Sequence, residues 1–494
     1  MKHKLTFQNH TKFAVLFCLL LGFAVNAQIG IGTTEPDVSS MLDVSSTAKG
    51  MLTPRMSKLQ REAIVTPANG LMVFDTDLKL FHYYISGSGW TPINSPVNGR
   101  QNFKRIKATD VLSTVLADEL IAGGGTKYKL NTTTLYEVNG SVSFNKPIDL
   151  NNAYLQGLDT GNDQILASGN IFDGSTGGTV KGLTLASSGG KVFNLTGAAT
   201  ENLIFRDCIV ANSSSVGSIS GFGLVFISIV QFSGNTSGIT YNNITQLLLS
   251  NLGWFGNNVG TFEKLTGTFN LVQKQGGFSE VNGTAVGFDV SGNPTISGDA
   301  IMSGHVYTGT NSLGYINPYP LANRYVGYNF SNAWTVDSPG IPREGDAEST
   351  GDINLDAAVG SGALTSFSGS GSGSRKKING TTTSNNLFRF TRDGDNKITY
   401  KGNKKRYFQV AGAVSYQATD DLTVILYIAK NGVVITETKV YGRGATGYFT
   451  NAGILALPIV GTVELKKNDY IEIWAERFSG AGNMTTVSLN LIVR

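Results

Sequence analysis

The chain has 494 residues, more than a single compact core accommodates, so several modules are expected. Its 61 glycines, 15% charged residues and 4 histidines favour a turn- and strand-rich architecture, and no long amphipathic helical period competes. The formal charge of +4 falls to +1 once Lys2, Lys4 and Lys12 of the N-terminal segment are removed, a balance that gives no argument for nucleic acid as a partner.

Residues 1–27 read as a secretory signal peptide. Lys2, His3, Lys4 and Lys12 form a basic start, and Phe13 to Val25 is an apolar run. That run is shorter than the ~20 residues needed to span a bilayer. Val25-Asn26-Ala27 supplies a small-residue cleavage pattern, placing cleavage after Ala27 and Gln28 at the mature N-terminus. Cys18 has no small residue ahead of it, so no lipoprotein anchor is expected. The reading is export to the cell surface or medium, with no membrane span left after cleavage. Cys208 is then the single cysteine, so cohesion must come from packing, repetition or oligomerisation rather than an intrachain disulfide. Its strand setting, Phe205-Arg-Asp-Cys-Ile209, suits a buried structural thiol.

Residues 28–95 form a first module. A strand is expected at Met41-Leu-Asp-Val44, then a helix from Lys58 to Ile64 capped by Ser57, with Glu62 too late for a capping box. Leu71 to Phe74 and Leu80 to Tyr84 pattern as paired strands about an Asp75-Thr-Asp77 turn, followed by Trp90. His82, among aromatics in a strand, reads as a structural imidazole. The strings Gly30-Ile-Gly-Thr-Thr-Glu-Pro36, Leu42-Asp-Val44, Lys49-Gly50, Pro54-Arg55-Met56, Gln60-Arg61 and Ala63-Ile64 carry a resemblance. This module is similar to the N-terminal segment of exported surface proteins of the Bacteroidota and to parts of tail-fibre-like proteins. The resemblance implies location and modular company, not a reaction.

Residues 96–127 read as a linker and a short helix near Val111 to Leu120, ended by Gly123-Gly-Gly125. From Tyr128 a strand rhythm begins. Apolar tetrapeptides recur at Gly182, Asn202, Gly223, Gln246, Thr268 and Gly287, 19 to 23 residues apart. A period of that length means one supersecondary unit stacked on copies of itself. A parallel β-solenoid is therefore expected over residues 128–306, with roughly eight or nine coils of ~20 residues and a length on the order of 40 Å. Alternate positions, such as Leu183 and Leu185 or Leu224 and Phe226, are expected to point inward. The pattern resembles right-handed parallel β-helices of tail spikes, adhesins and polysaccharide-cleaving enzymes.

Catalysis on such a fold needs clustered carboxylates, or carboxylate-bound Ca²⁺ with a base. Acids are sparse from Asp173 onward: Asp173, Glu201, Asp207, Glu263, Glu280, Asp289 and Asp299, each read as a surface group. Polygalacturonase-like motifs are wanting. Arg105-Ile-Lys107 precedes the repeat, and Gly304-His305 lacks a second glycine. No catalytic residue, metal site or cofactor is assigned.

Residues 307–350 crowd Tyr315, Tyr319, Tyr325, Tyr328 and Trp334 among prolines. They are expected to cover the open end of the solenoid, and they are also candidates for stacking on sugar faces. Residues 351–405 read as a Gly/Ser-rich linker and a basic neck. From Arg375 to Arg406 ten Lys or Arg face two Asp, and Arg375, Lys376, Lys377, Lys404, Lys405 and Arg406 are candidates for salt-sensitive polyanion contact.

Residues 406–494 alternate as about eight strands, with Asn431-Gly432 a hairpin turn, and argue an antiparallel sandwich or jelly roll. The order of strands and the Lys466-Lys-Asn-Asp469 turn before Tyr470-Ile-Glu-Ile-Trp474 resemble the C1q/TNF-like jelly roll, with Asn468 where glycine is more usual. That resemblance implies a homotrimer that binds partners through exposed faces. The chain as a whole reads as an all-β, non-enzymatic surface fibre or adhesin binding a glycan or protein receptor. The competing classes are a secreted polysaccharide-degrading β-helix enzyme and a phage-type tail spike.

Overall fold

The computed structural model describes residues 28–93, 102–444 and 453–494; the expected signal segment and its cleavage site lie outside the described residues, as do residues 96–101 at the start of the expected linker. The chain divides into two compact units, Met1–Gln101 and Asn102–Arg494. Nearly all regular structure is β.

In the first unit Ile29–Ile31 pairs in parallel with Leu42–Val44. Arg55–Met56, Met72–Asp75, Leu80–Ile85 and Gly89–Pro92 form a separate four-stranded sheet. Asp75 Oδ1 accepts from the amides of Asp77 and Leu78, which fixes the expected turn. The helix is shorter than expected, Lys58–Glu62, and it does carry a capping box. The partner is Gln60 rather than Glu62: its side chain accepts from Ser57 N at 2.9 Å, and Ser57 Oγ accepts from Gln60 N at 3.3 Å. His82 is buried, with Nδ1 3.2 Å from the Leu80 carbonyl.

The second unit opens with a parallel β-solenoid of about eight turns. Phe103–Lys107 stacks on Leu135–Asn139, and that column continues through Tyr154–Gln156, Gly178–Lys181 and the later turns to Trp334–Asp337. The solenoid thus extends beyond 128–306 at both ends. Two short helices, Leu112–Val115 and Ala117–Ala122, are an excursion within its first turn. They are tied down where Glu119 accepts from Lys104 Nζ at 2.8 Å and from the Tyr136 hydroxyl at 2.6 Å.

Each column buries alternate side chains, and one inward row runs its whole length. In the first column that row reads Tyr136, Leu155, Val180, Phe205, Ile227, Leu249, Lys274, Met302 and Val336. Leu183 and Leu185 point inward as expected, but Val225 and Ile227 are the buried pair in the repeat at Gly223, so Leu224 and Phe226 face outward. The side-chain period is two, so a one-residue misalignment of a tetrapeptide inverts every assignment in it.

Two ladders run along the corners. Gly182, Asp207, Ile229, Asn251 and Gly276 occupy one corner in successive turns with φ of 66°, 54°, 53°, 52° and 63°. Glycine and asparagine fit this left-handed region, whereas β-branched Ile229 is strained in it. At another corner Ser187 N donates to Ser213 Oγ, Ser213 N to Asn235 Oδ1 and Asn235 N to Asn258 Oδ1, at 3.0, 3.0 and 2.8 Å. Side chains there satisfy buried amides that no strand reaches.

The remainder is an antiparallel sandwich of a six-stranded and a seven-stranded sheet. It begins earlier than expected. Thr350–Asp356 and Ala363–Thr365 pair with Met484–Val493, Lys376–Lys377 pairs with Tyr470–Gly480, and Ile398–Tyr400 pairs with the same strand. The linker and neck read from composition at 351–405 are therefore part of the sandwich, with Ile353, Leu355, Ile378, Phe390 and Ile398 in its core. Asn468, at φ 72°, takes the left-handed turn position where glycine was the more usual residue.

Candidate association surfaces

Among the described residues of the first unit, Val73 is the only buried apolar side chain; the others buried are Arg61, Asp75 and His82. Arg61 Nε lies 3.3 Å from Asp75 Oδ2, so the module centres on an ion pair, not an apolar core. Its large apolar residues point out instead: Val38, Met41, Met51, Leu52, Leu59 and Val65 are between 62% and 93% exposed. The Ile29–Ile31 and Leu42–Val44 pair is a two-stranded parallel sheet with its apolar side chains exposed. Parallel sheets persist when covered on both faces, and two strands alone are marginal in water. An apolar surface of this extent on so small a module marks an association site.

The aromatic segment closes the solenoid and joins it to the sandwich. Trp334 and Tyr319 are buried, with Trp334 Nε1 donating to Tyr319 Oη at 3.2 Å, so neither offers a face for a sugar. Tyr328 stacks on Phe388 of the sandwich at 3.8 Å between ring centroids, and Tyr325 meets the same ring edge-on at 5.3 Å. Tyr315 is half-buried and donates to the Gly309 carbonyl at 3.2 Å. The five aromatics therefore do not assemble into one open platform. The joint's polar centre was not legible from sequence. Asp346 accepts from the amides of Asn403 and Lys404 at 3.0 and 2.7 Å and pairs with the guanidinium of Arg389, which also donates to the Trp334 carbonyl. Glu344 accepts from the amides of Asn329 and Phe330 at 2.7 and 3.0 Å, and burial pushes its carboxyl up to about 7.

The basic stretch is dispersed by pairing with acids from elsewhere in the sandwich. Arg375 binds Glu476 at 2.7 Å and Lys377 faces Glu472 at 3.4 Å. Lys405 faces Glu464 at 3.2 Å, and Arg406 donates to the Asp346 carbonyl. Lys376 and Lys404 are exposed. The six residues do not make one unpaired basic patch.

Within the solenoid the acids serve neighbouring turns. Glu201 accepts from Asn152 and Gly177, Asp173 from Asn170 and Asn194, and Glu280 from Gly256. Asp289 is buried beside Lys264 at 3.3 Å rather than free at the surface. Glu263 is a larger correction. It is fully buried in an inward row between Ile239 and Phe288, with Oε2 2.7 Å from Lys274 Nζ, itself buried between Leu249 and Met302. Burial raises the Glu263 carboxyl and lowers the Lys274 ammonium from their usual ranges. Nearby, His305 Nδ1 lies 2.8 Å from the Gly276 carbonyl and Nε2 2.8 Å from Ser279 Oγ. Donation from Nδ1 leaves Nε2 to accept from the serine. Burial holds this imidazole well below its usual range, hence neutral. Cys208 is buried as expected, and burial pushes its thiol up to about 12.

Among the described residues no group of three or more His, Cys, Asp or Glu is placed to hold a metal, and no helix is long and apolar enough to cross a membrane. No curated protein matches the chain in sequence. Parts of the chain align with solved structures at low similarity. Murine APRIL at pH 8.5 is 8% identical with a TM-score of 0.19, covering 29% of this chain and 98% of that one. Eiger TNF from S. frugiperda is 12% identical with a TM-score of 0.18, covering 30% and 93%. Residues 30–109 match the family described as "Phage tail like trimerisation region". That match and the β-solenoid together fit a structural, tail-fibre-like protein that trimerises.

Proposed function

We propose that this chain is one subunit of an exported homotrimeric surface fibre, in which residues 28–93 drive association, the solenoid is a stiff shaft and the sandwich is a partner-binding head. The observation that carries this reading is the inverted first unit: among its described residues, one buried apolar side chain against many exposed ones, within the span matching a trimerisation region. Three copies would bury what one leaves in water. The resemblance to exported Bacteroidota surface proteins supports a cell-surface setting, and the C1q/TNF-like order of strands supports a head that contacts a glycan or protein receptor. The mass of the chain lacking residues 1–27, measured in solution by light scattering, tests the proposal. Three times the monomer mass is expected, and a monomer at micromolar concentration overturns it.

A further inference from the structure

The trimerisation match ends at residue 109 and so includes Phe103–Lys107, the first strand of the solenoid. Parallel pairing carries the position of Phe103 outward along one face, turn after turn, to Leu135, Tyr154, Thr179, Ile204, Phe226, Leu248, Gln273 and Ile301, a row that is apolar except at Thr179 and Gln273. None of these side chains is buried within the chain. At ~4.8 Å per turn, the six steps from Tyr154 to Ile301 span about 29 Å in a straight line along the stack.

A solvated sheet face ordinarily carries polar side chains outward. The neighbouring outward row of the same face does so, with Arg206, Ser228, Ser250 and Gln275 in register. So does the outward row of a second face, with Asn194, Ser218, Thr240 and Lys264. The predominantly apolar row thus differs from both of these rows, and it begins on a strand inside the matched trimerisation region. A straight, predominantly apolar row parallel to the stack suits a partner of the same length and pitch lying alongside.

We infer that this face is the lengthwise contact between solenoids, its occupant being the same chain in a second copy, so that the trimer interface includes the shaft. This rests on the trimer reading above. The test uses the chain lacking residues 1–27 with Phe226→Cys or Leu248→Cys on the face and Thr240→Cys as a half-buried control on the second face. The unsubstituted chain reports the background from buried Cys208. Native alkylation by a charged reagent is timed on samples whose mass is measured in parallel. The expected result is a trimer in which both face variants react at least tenfold more slowly than the control. A trimer in which they react as fast as the control overturns the face assignment and leaves the trimer standing. A monomeric unsubstituted chain overturns both.

Discussion

The buried Glu263–Lys274 pair gives the sharpest test of the solenoid's interior. At 2.7 Å and an effective dielectric near 20, the attraction is about 6 kcal/mol, while desolvation costs several kcal/mol for each ion. The two nearly cancel, so the intact pair adds little net stability. Removing one partner is different, because the other charge stays buried without compensation. Lys274→Met, which replaces the lysine by a residue suited to a row between Leu249 and Met302, should cost about 3–5 kcal/mol. Adding Glu263→Leu should recover that loss, leaving the double variant between near-neutral and about 4 kcal/mol more stable than the parent. The assay is urea unfolding followed by far-UV circular dichroism, urea being chosen because it leaves ionic strength unchanged. A single variant within about 1 kcal/mol of the parent would refute the reasoning. So would a double variant that loses the sum of the two single losses, since no coupling would then exist.

Further outcomes follow from the other sites. Glu344 has a folded pKa raised to about 7, so its contribution to stability is full below the unfolded value of 4.5 and is lost as pH rises through 7. Thermal unfolding midpoints of the parent should fall between pH 5 and pH 8, and Glu344→Gln should flatten that dependence. Arg389→Met leaves Asp346 buried without its cation and should lower the sandwich's unfolding free energy by about 3–5 kcal/mol, read by urea unfolding. Cys208 should resist alkylation in the native chain and react fully after denaturation, as mass spectrometry of the intact protein would record. Leu52→Asp with Leu59→Asp should shift the chain from trimer to monomer in sedimentation without altering its β content, because both side chains are exposed within one copy.

Much of the architecture was legible because a repeat announces itself. The tetrapeptide period located the solenoid, and alternation located the late strands of the sandwich. What escaped was mostly long-range pairing. Gly351 to Ser374 has the composition of a flexible linker, yet Thr350–Asp356 is held by Met484–Val493, more than a hundred residues away. The basic run near Arg375 looks unopposed only until Glu472 and Glu476 arrive from the opposite end of the sandwich. Glu263 and Lys274 pass as surface charges in a polar repeat because nothing local marks their positions as inward; register alone does. Phe226 was assigned to the core for the complementary reason, since apolar residues stand on both sides of the strand Leu224–Ser233. The aromatic segment was expected to cover the end of the solenoid; its contacts with Phe388 and Arg389 are ones that no local pattern connects to it.

The strand Met484–Val493 lies between Thr350–Asp356 and Arg406–Ala418, in the middle of its sheet. Of the sandwich's strands it is the last to be synthesised. Each solenoid turn needs only the turn before it and can wind as the chain is made. The head must wait with a central slot vacant until its final strand arrives. Assembly therefore has a direction: a chain interrupted between residues 337 and 484 can carry a wound solenoid but not a closed sandwich.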